Sequence, residues 1–255
     1  LRDKIHFLLY FQINMSERIF YYDEKDEPFD SLSLANPIRL QGGAYFSKLY
    51  WDESSLIFQT PKSATKNGII RTAKKTYCDL LFEQDNDKFI NWLEKLEKAI
   101  QFLIFEKRDL WFQNNMELED IEYFFVPSIR LYKRTKYLFR CYVNQPRHIK
   151  KPYSLQIYDE NENSLTFDDI GKDQKLISIL EVLGIKYTQQ SFHIEYCLRQ
   201  IMIINEKPMF DKCLINLKKN KGKNALVESK HIVTKECATI KGGDEEPDAL
   251  EEPDA

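Results

Sequence analysis

The chain has 255 residues, of which 43% are hydrophobic and 13% aromatic, so it can bury the core of one large domain or of two small ones. Its 37 basic and 40 acidic residues give a formal net charge of −3. The last twelve residues carry seven acids and no base, and without them the chain sums to +4. This composition excludes a wholly disordered chain and indicates a globular protein whose charges are segregated along the sequence.

Five cysteines are scattered along the chain, and none forms a Cys-x-x-Cys pair. This pattern argues against a disulfide framework and a zinc knuckle, and it fits a reducing, intracellular compartment. The apolar run at residues 6–13 is too short to span a bilayer, so no membrane segment is predicted. Met15 begins a polar stretch, and residues 1–14 read either as non-native sequence or as a short β-strand.

Residues 1–30 are predicted to form a flexible N-terminal arm, because residues 17–30 are rich in acids. Strands are predicted in LSLANPIRL, AYFSKLYW, SLIFQTPK, GIIRTA and KKTYCDLLF, separated by turn residues. The last of these alternates, with Cys78 and Leu80 on one face and Tyr77 and Asp79 on the other. This alternation predicts a half-buried strand.

The apolar period changes to that of a helix over residues 86–106, where hydrophobic residues recur at spacings of three and four. One long helix is therefore expected to pack on the strands. Its other side, which includes Glu97, carries charges of both signs and is interpreted as a solvated face. A shorter helix is predicted in MELEDIEYFF, with acids in its first turn.

Strand patterning returns in KYLFRCYV, YSLQIYD, LTFDDI, KLISILEVLGIKYT and SFHIEYCLRQIMII. Gly184 interrupts the fourth of these at a point where a barrel strand could bend. Strands and helices do not alternate regularly, so the fold class is mainly β with one long helix, an antiparallel β-barrel over residues 31–204 with the α-helix inserted. Residues 205–255 read as a lysine-rich linker and a low-complexity acidic C-terminal tail, expected to be disordered.

Two windows of the sequence, residues 54–78 and 124–158, contain basic residues and no acid. A surface built from both windows would attract a polyanion through phosphate contacts that weaken with salt. Strand alternation places tyrosines among these cations, and bases stack on such rings with roughly 1 to 3 kcal/mol each. Each tyrosine alone reads as an amphipathic edge residue, but together with the lysines they predict nucleic-acid binding. The candidate binding residues are Lys62, Lys66, Arg71, Lys74, Lys75, Tyr77, Lys133, Arg134, Lys136, Arg140, Tyr142, Lys150, Lys151 and Tyr158.

Over residues 75–204 the order of elements resembles the single-stranded DNA-binding proteins of the short-tailed coliphages of the T-seven type, whose homologues occur in large nucleocytoplasmic DNA viruses. TYCDLLFEQDNDKFINWLEKLEKAI resembles the family's strand that leads into a long helix, and KYLFRCYVN its charged aromatic strand. YSLQIYDENENSLTFDDI is similar to its hairpin with a polar turn, and GIKYTQQSFHIEYCLRQIMII to its closing strands. Residues 55–69 have no phage counterpart and form a candidate binding loop.

The resemblance implies an oligonucleotide-binding (OB) fold that binds single-stranded DNA without sequence preference and often forms a homodimer. It carries over to Lys136, Arg140 and Tyr142, and with a weaker match to Tyr77 and Tyr158. It also implies an acidic tail that competes with DNA and contacts replication proteins. The phage tail ends in an aromatic residue, whereas this one ends in Asp254-Ala255, so tail exchange of the phage kind does not follow.

The sequence contains no motif typical of a catalytic, phosphate-binding or metal-binding site. Gly42-Gly43 lacks the spacing of a phosphate-binding loop, the four histidines lack metal-ligand spacing, and no Ser or Cys has a nucleophile context. We therefore expect no enzymatic activity, no cofactor and no metal.

The predicted function is the coating of single strands during viral DNA replication, recombination or repair, in a replication compartment of the host cytoplasm or nucleus. Two alternatives stay open: a virion assembly protein that uses the same barrel for protein contacts, and a transcription-associated RNA binder. The acidic tail also has an alternative interpretation, in which it only keeps the protein soluble.

Overall fold

A computed structural model describes residues 19–24, 27–113, 116–144, 154–188, 190–205 and 214. In these ranges the chain forms mostly β-strands, with one long and two short α-helices. The strands are β1 (Ile19–Tyr21), β2 (Leu32–Leu34), β3 (Ile38–Arg39), β4 (Tyr45–Trp51), β5 (Leu56–Gln59), β6 (Ser63–Arg71), β7 (Thr76–Glu83), β8 (Ile129–Tyr132), β9 (Lys136–Val143), β10 (Gln156–Tyr158), β11 (Lys175–Tyr187) and β12 (Phe192–Ile203). The helices are α1 (Asp87–Glu106), α2 (Arg108–Trp111) and α3 (Leu118–Phe124), and two 3-10 helices span Pro28–Ser31 and Phe167–Asp169.

Five strands pair in a path that returns to its start. β6 pairs with β7, and β7 pairs with β9 along its whole length, both antiparallel. β9 meets β12 in parallel at Tyr142 and Cys197, β12 pairs antiparallel with β11, and β11 pairs with β6 at Leu176 and Ser63. The mainly β class is thus confirmed for the described residues. The sheet is mixed, however, and not purely antiparallel, because β1–β5 and β10–β12 are parallel as well.

The parallel contact between β9 and β12 follows from the chain's connections. Parallel neighbours need a long crossover between them. Here the connection from β9 to β12 includes β10 and β11, so β12 returns beside β9 with the same direction. Strand alternation along one segment carries no information about this direction, which explains why the sequence pattern predicted only antiparallel neighbours.

Helix α1 packs an aromatic and aliphatic stripe into the same core as the ring of strands. Phe89 lies 4.9 Å from Phe82 of β7, and Trp92 lies 4.9 Å from Phe58 of β5, measured between ring centroids. Burial of each such side chain contributes about 1.5 to 3 kcal/mol. The helix expected at residues 86–106 is confirmed, and its inward residues are those with the predicted spacing of three and four.

The predicted N-terminal arm contains a strand. Residues Ile19–Tyr21 form β1, which pairs in parallel with β5, and Phe20 is buried with its ring stacked 5.5 Å from that of Trp92. This acid-rich segment therefore contains one buried aromatic residue, and its burial holds the strand β1 against the rest of the domain. Residues 1–14, which the sequence left open, lie outside the described residues.

Glu97 is not a solvated member of the helix's charged face. It accepts a hydrogen bond from the backbone N–H of Ser128 at 2.6 Å, and burial raises the pKa of its carboxyl. The hydroxyls of Ser128 and Tyr196 share a hydrogen bond of 2.7 Å. These two hydrogen bonds connect α1 to β12 through the segment that leads into β8. Helical periodicity alone cannot predict such contacts between separate elements.

Gly184 lies where β11 changes its neighbour. Before it, Ile179–Val182 pair with β5, and from Gly184 onward the strand pairs with β4. The ladder with β12 shifts register between Val182 and Gly184. The backbone of Gly184 has φ of +148°, and a Cβ there would lie 2.1 Å from the carbonyl oxygen of Ser47. The predicted bend is therefore a close approach of two backbones that only glycine permits.

None of the helices in the described part of the chain has the length and apolar character needed to cross a membrane. All of the elements above lie in the unit Leu1–Glu206. Of the second unit, Lys207–Ala255, only Leu214 is described. The predicted linker and acidic tail thus lie outside the described residues apart from this leucine.

We expect Gly184→Ala to lower the free energy of unfolding by about 2 kcal/mol or more, because the added Cβ meets the Ser47 carbonyl and the positive φ is strained for alanine. Urea unfolding followed by circular dichroism measures the loss. Gly171→Ala is the matched control, since nothing lies within 4 Å of the Cβ that it adds. Equal stability of the two variants would contradict the proposed backbone contact.

Candidate nucleic-acid interface

The side chains of β7 and β9 that point away from the core form what we call the outer face. The residues between them, among them Leu80 and Phe139, belong to the main core, so alternation along each strand separates the two sides. On the outer face the antiparallel register sets one residue of β7 opposite one of β9 in four successive pairs. These pairs are Tyr77 with Tyr142, Asp79 with Arg140, Leu81 with Leu138, and Glu83 with Lys136.

Two tyrosines and two cations form one end of the outer face. Tyr77 and Tyr142 are cross-strand neighbours and are both half-buried. The guanidinium carbon of Arg140 lies 4.3 Å from the ring centroid of Tyr77, and the ammonium of Lys75 lies 5.7 Å from that of Tyr142. Burial raises the pKa of the Tyr142 hydroxyl, which therefore stays protonated and able to donate a hydrogen bond.

Arg140 is held by a carboxylate on the neighbouring strand. Its Nε donates to Oδ1 of Asp79 at 2.7 Å, and its Nη2 donates to Oδ2 at 3.0 Å. The Asp79 side chain is 5% exposed, whereas that of Arg140 is 38% exposed. The hydrogen bond to Asp79 raises the pKa of Arg140, so the two charges are fixed and cancel locally.

Lys136 is also paired with an acid of β7, because its Nζ lies 2.9 Å from Oε1 of Glu83, a more exposed carboxylate than that of Asp79. The acid-free window of the sequence ends at Cys78, and β7 continues beyond it to Asp79 and Glu83. Counting acids along the chain therefore overstated the net positive charge of this strand pair, because the compensating acids lie just past the window.

A third tyrosine covers the other end of the outer face. Tyr132 of β8 packs against Leu81 and Leu138, and these two leucines form a small second cluster. The ammonium groups of Lys66 and Lys133 lie 4.9 and 5.5 Å from the Tyr132 ring centroid. Tyr132 belongs to the aromatic residues of the second acid-free window but was not among the predicted binding residues, because its place on this face depends on the register of the β8–β9 hairpin.

The turn between β8 and β9 presents two cations from an unusual backbone conformation. Lys133 and Arg134 are its central residues, with φ of +49° and +60°. Asparagine and glycine normally occupy such positions, and left-handed φ costs other residues about 1 to 2 kcal/mol each. The side-chain amide of Gln84 donates to the carbonyl oxygen of Arg134 at 3.2 Å and supports the turn.

The other predicted residues are not among the four residue pairs of the outer face. Lys74 and Lys75 belong to the exposed turn between β6 and β7, and Arg71, just before it, lies over the ring of Phe167 at 4.6 Å. Tyr158 lies on β10, which β12 separates from β9. Lys62 is exposed next to the start of β6. Lys150 and Lys151 fall outside the described residues.

An acid on β12 lies beside the tyrosine end of the outer face. Burial raises the pKa of Glu195, while the charges of Lys186 and Lys75 act in the opposite direction. Glu195 lies two residues before Cys197, which pairs with Tyr142, so its side chain points to the same side of the sheet as that of Tyr142. Its carboxylate offsets part of the positive charge that the sequence assigned to this region.

The outer face presents aromatic rings and cations, and the cysteines beneath it are buried. Cys78 and Cys141 are buried, and burial raises the pKa of the Cys78 thiol to about 12, so it stays protonated and unreactive. Among the described residues, no group of three or more His, Cys, Asp or Glu could hold a metal ion. The arrangement suits the binding of a planar and anionic ligand.

No protein-family model matches the sequence, and no curated protein matches it. Among solved structures, gp2.5, a single-stranded DNA-binding protein encoded by bacteriophage T7, is 13% identical over 63% of this chain and 98% of that chain, with a TM-score of 0.43. The single-stranded DNA-binding protein from bacteriophage Enc34 is 8% identical over 71% of this chain and 93% of that chain, with a TM-score of 0.40. Its complex with single-stranded DNA matches with 8% identity, 71% and 99% coverage and a TM-score of 0.39. The chain is thus similar to the phage single-stranded DNA-binding proteins that its order of elements resembles.

Proposed function

We propose that this protein binds single-stranded DNA without sequence preference, on the outer face of β7 and β9. The observation that carries the proposal is the set of three tyrosines on one sheet face, each with a cation 4.3 to 5.7 Å from its ring centroid. Aromatic rings beside cations accept the bases and phosphates of a flexible strand whatever its sequence. The tyrosines are Tyr77, Tyr132 and Tyr142.

The order of the strands supports an OB-fold barrel as the scaffold. If the five strands of the closed path are numbered in chain order, β6, β7, β9, β11 and β12, their pairing order is 1-2-3-5-4-1. In the OB-fold, a five-stranded Greek-key barrel, the face of strands 2 and 3 and the loops 1–2 and 4–5 bind oligonucleotides. Here β7 and β9 are strands 2 and 3, and Lys74 and Lys75 lie in loop 1–2.

We further propose a role and a location for this non-enzymatic binding activity. The protein coats strands exposed in viral DNA replication, recombination or repair, in a replication compartment of the host cytoplasm or nucleus. Residues 31–204 act as the binding domain, and Lys62, Lys150, Lys151 and Tyr158 are proposed to contribute to binding. The acid-rich end of the chain is complementary to the cations of the outer face, which supports competition between tail and DNA and recruitment of replication proteins by the displaced tail. We also propose that the protein can form a homodimer, as the family that its order of elements resembles often does.

Fluorescence anisotropy of a labelled thymine 30-mer and of its duplex, across a salt series, tests the proposal. We expect submicromolar binding that favours the single strand. An absence of binding below about 10 micromolar at low salt, where even nonspecific phosphate contacts are visible, would overturn the proposal and favour the assembly alternative. An RNA 30-mer of equal length addresses the third interpretation, since only RNA offers a 2′-hydroxyl.

Replacing both turn cations, Lys133→Gln with Arg134→Gln, is expected to weaken binding and to reduce the slope of log K against log salt by about 1.4, since each lost contact to a single strand contributes about 0.7. The matched control is Lys88→Gln with Lys98→Gln, which removes the same charge from exposed positions of α1. If both double variants change the slope equally, the effect comes from net charge and not from the turn.

Removal of residues 244–255 is expected to tighten binding several-fold at low salt, because the tail's acids no longer compete for the cations. The difference should vanish near 1 M salt, where charges more than about 3 Å apart are screened. A full-length variant with the seven acids changed to their amides separates charge from length and should behave like the truncation. Unchanged affinity in both proteins would leave the tail with only a solubilising role.

Glu195→Gln is expected to tighten binding at neutral pH, because it removes a carboxylate close to Lys75 and Tyr142. The raised pKa of Glu195 means that its negative charge is lost as the pH falls, so the affinity of the wild type should rise toward acid pH. The variant should lack this part of the pH dependence. Every other titratable group is common to the two proteins, so only the difference between their profiles between pH 4 and 8 reports on Glu195, and identical profiles would contradict its assigned role.

A further inference from the structure

The guanidinium of Arg140 is a fixed, flat and locally neutral group in the middle of the outer face. Its edge is occupied by both carboxylate oxygens of Asp79, at 2.7 and 3.0 Å. Its central carbon lies over the ring of Tyr77, 4.3 Å from the ring centroid. The side chain nevertheless remains 38% exposed.

This geometry does not suit a phosphate contact. A phosphate that drew Arg140 away would leave the buried carboxylate of Asp79 without its partner, and an uncompensated buried charge is strongly unfavourable. A phosphate that approached the intact pair would meet a group whose charge is already balanced. Lys133 and Arg134, at the exposed turn, are better placed to meet the DNA backbone.

The same geometry does suit a nucleobase. A guanidinium is planar and weakly hydrated, and it stacks on aromatic faces. Unstacked bases are held in many nucleic-acid complexes on arginine planes as well as on aromatic rings. Asp79 holds the edge of the guanidinium and the Tyr77 ring lies 4.3 Å from its central carbon, so the part of Arg140 that remains exposed can receive a base.

We propose that Arg140 stacks against a base of the bound strand, on a plane that Asp79 and Tyr77 hold in place, and that it contributes affinity without contributing salt dependence. Asp79 acts as a positioning residue. This inference rests on the proposed binding of single-stranded DNA, and it reverses the role that the sequence suggested for Arg140, which was a cation for phosphates.

The test compares a thymine 30-mer with an abasic 30-mer that keeps the same phosphates but lacks bases. Arg140→Lys keeps the positive charge and removes the plane. We expect it to bind the thymine strand at least about five-fold more weakly, the lower end of a lost base stack, with an unchanged salt slope. On the abasic strand the variant and the wild type should bind alike.

A second variant, Asp79→Asn with Arg140→Gln, removes both charges and keeps the net charge of the protein constant. It should reproduce the loss on the thymine strand and again leave the salt slope and the abasic affinity unchanged. Circular dichroism and thermal unfolding verify that each variant is folded. The matched control, Lys133→Gln with Arg134→Gln, should lose affinity on both strands and lower the slope.

The outcomes separate this inference from the proposed function. If the wild type does not bind the thymine strand, both fail. If the wild type binds the thymine strand and both Arg140 variants bind it as tightly as the wild type does, the stacking role alone is overturned. A loss that persists on the abasic strand, or a slope that falls by about 0.7 in the double variant, would assign Arg140 to the phosphates instead.

Discussion

The register between β7 and β9 sets both sides of the sheet at once. Leu80 lies opposite Phe139 in the core, and the adjacent Asp79 lies opposite Arg140 on the outer face. Because side chains alternate along a strand, a slip of one residue would expose the core residues and bury the charged pair. The apolar packing inside and the two-bond ion pair outside therefore favour the same register, so the stability of the sheet and the proposed recognition of DNA depend on one set of residue pairs.

Acids within the outer face change the kind of binding that it supports. Asp79, Glu83 and Glu195 each lie beside a cation, so the centre of the face is nearly balanced in charge. In the proposed binding mode, such a centre would contribute contact area and stacking, which salt affects little. Long-range attraction of DNA would then come from exposed cations such as Lys133 and Arg134. An acidic tail would compete with DNA mainly for those exposed cations. Salt would therefore weaken the competition by the tail more than it weakens the stacking of bases.

Two contacts away from the outer face fix the course of strands elsewhere in the sheet and the segment before β8. Gly184 lets β11 leave β5 and continue beside β4, which brings two backbones closer than any other residue would allow. Glu97 of α1 holds the N–H of Ser128, the residue immediately before β8. Since β8 carries Tyr132 onto the outer face, this part-buried hydrogen bond connects the helix to the strand of one of the three tyrosines.

The sequence by itself determined the local patterns: the long helix at α1, the strand character of β7 and β9, and the outward position of Tyr77, Arg140 and Tyr142. It also indicated the bend at Gly184. Only the tertiary structure decided that Asp79 neutralises Arg140 across 61 residues of chain and that Tyr132 joins the same face. Periodicity is a property of a single segment, whereas an ion pair, a parallel neighbour or a shared face depends on where another segment comes to lie.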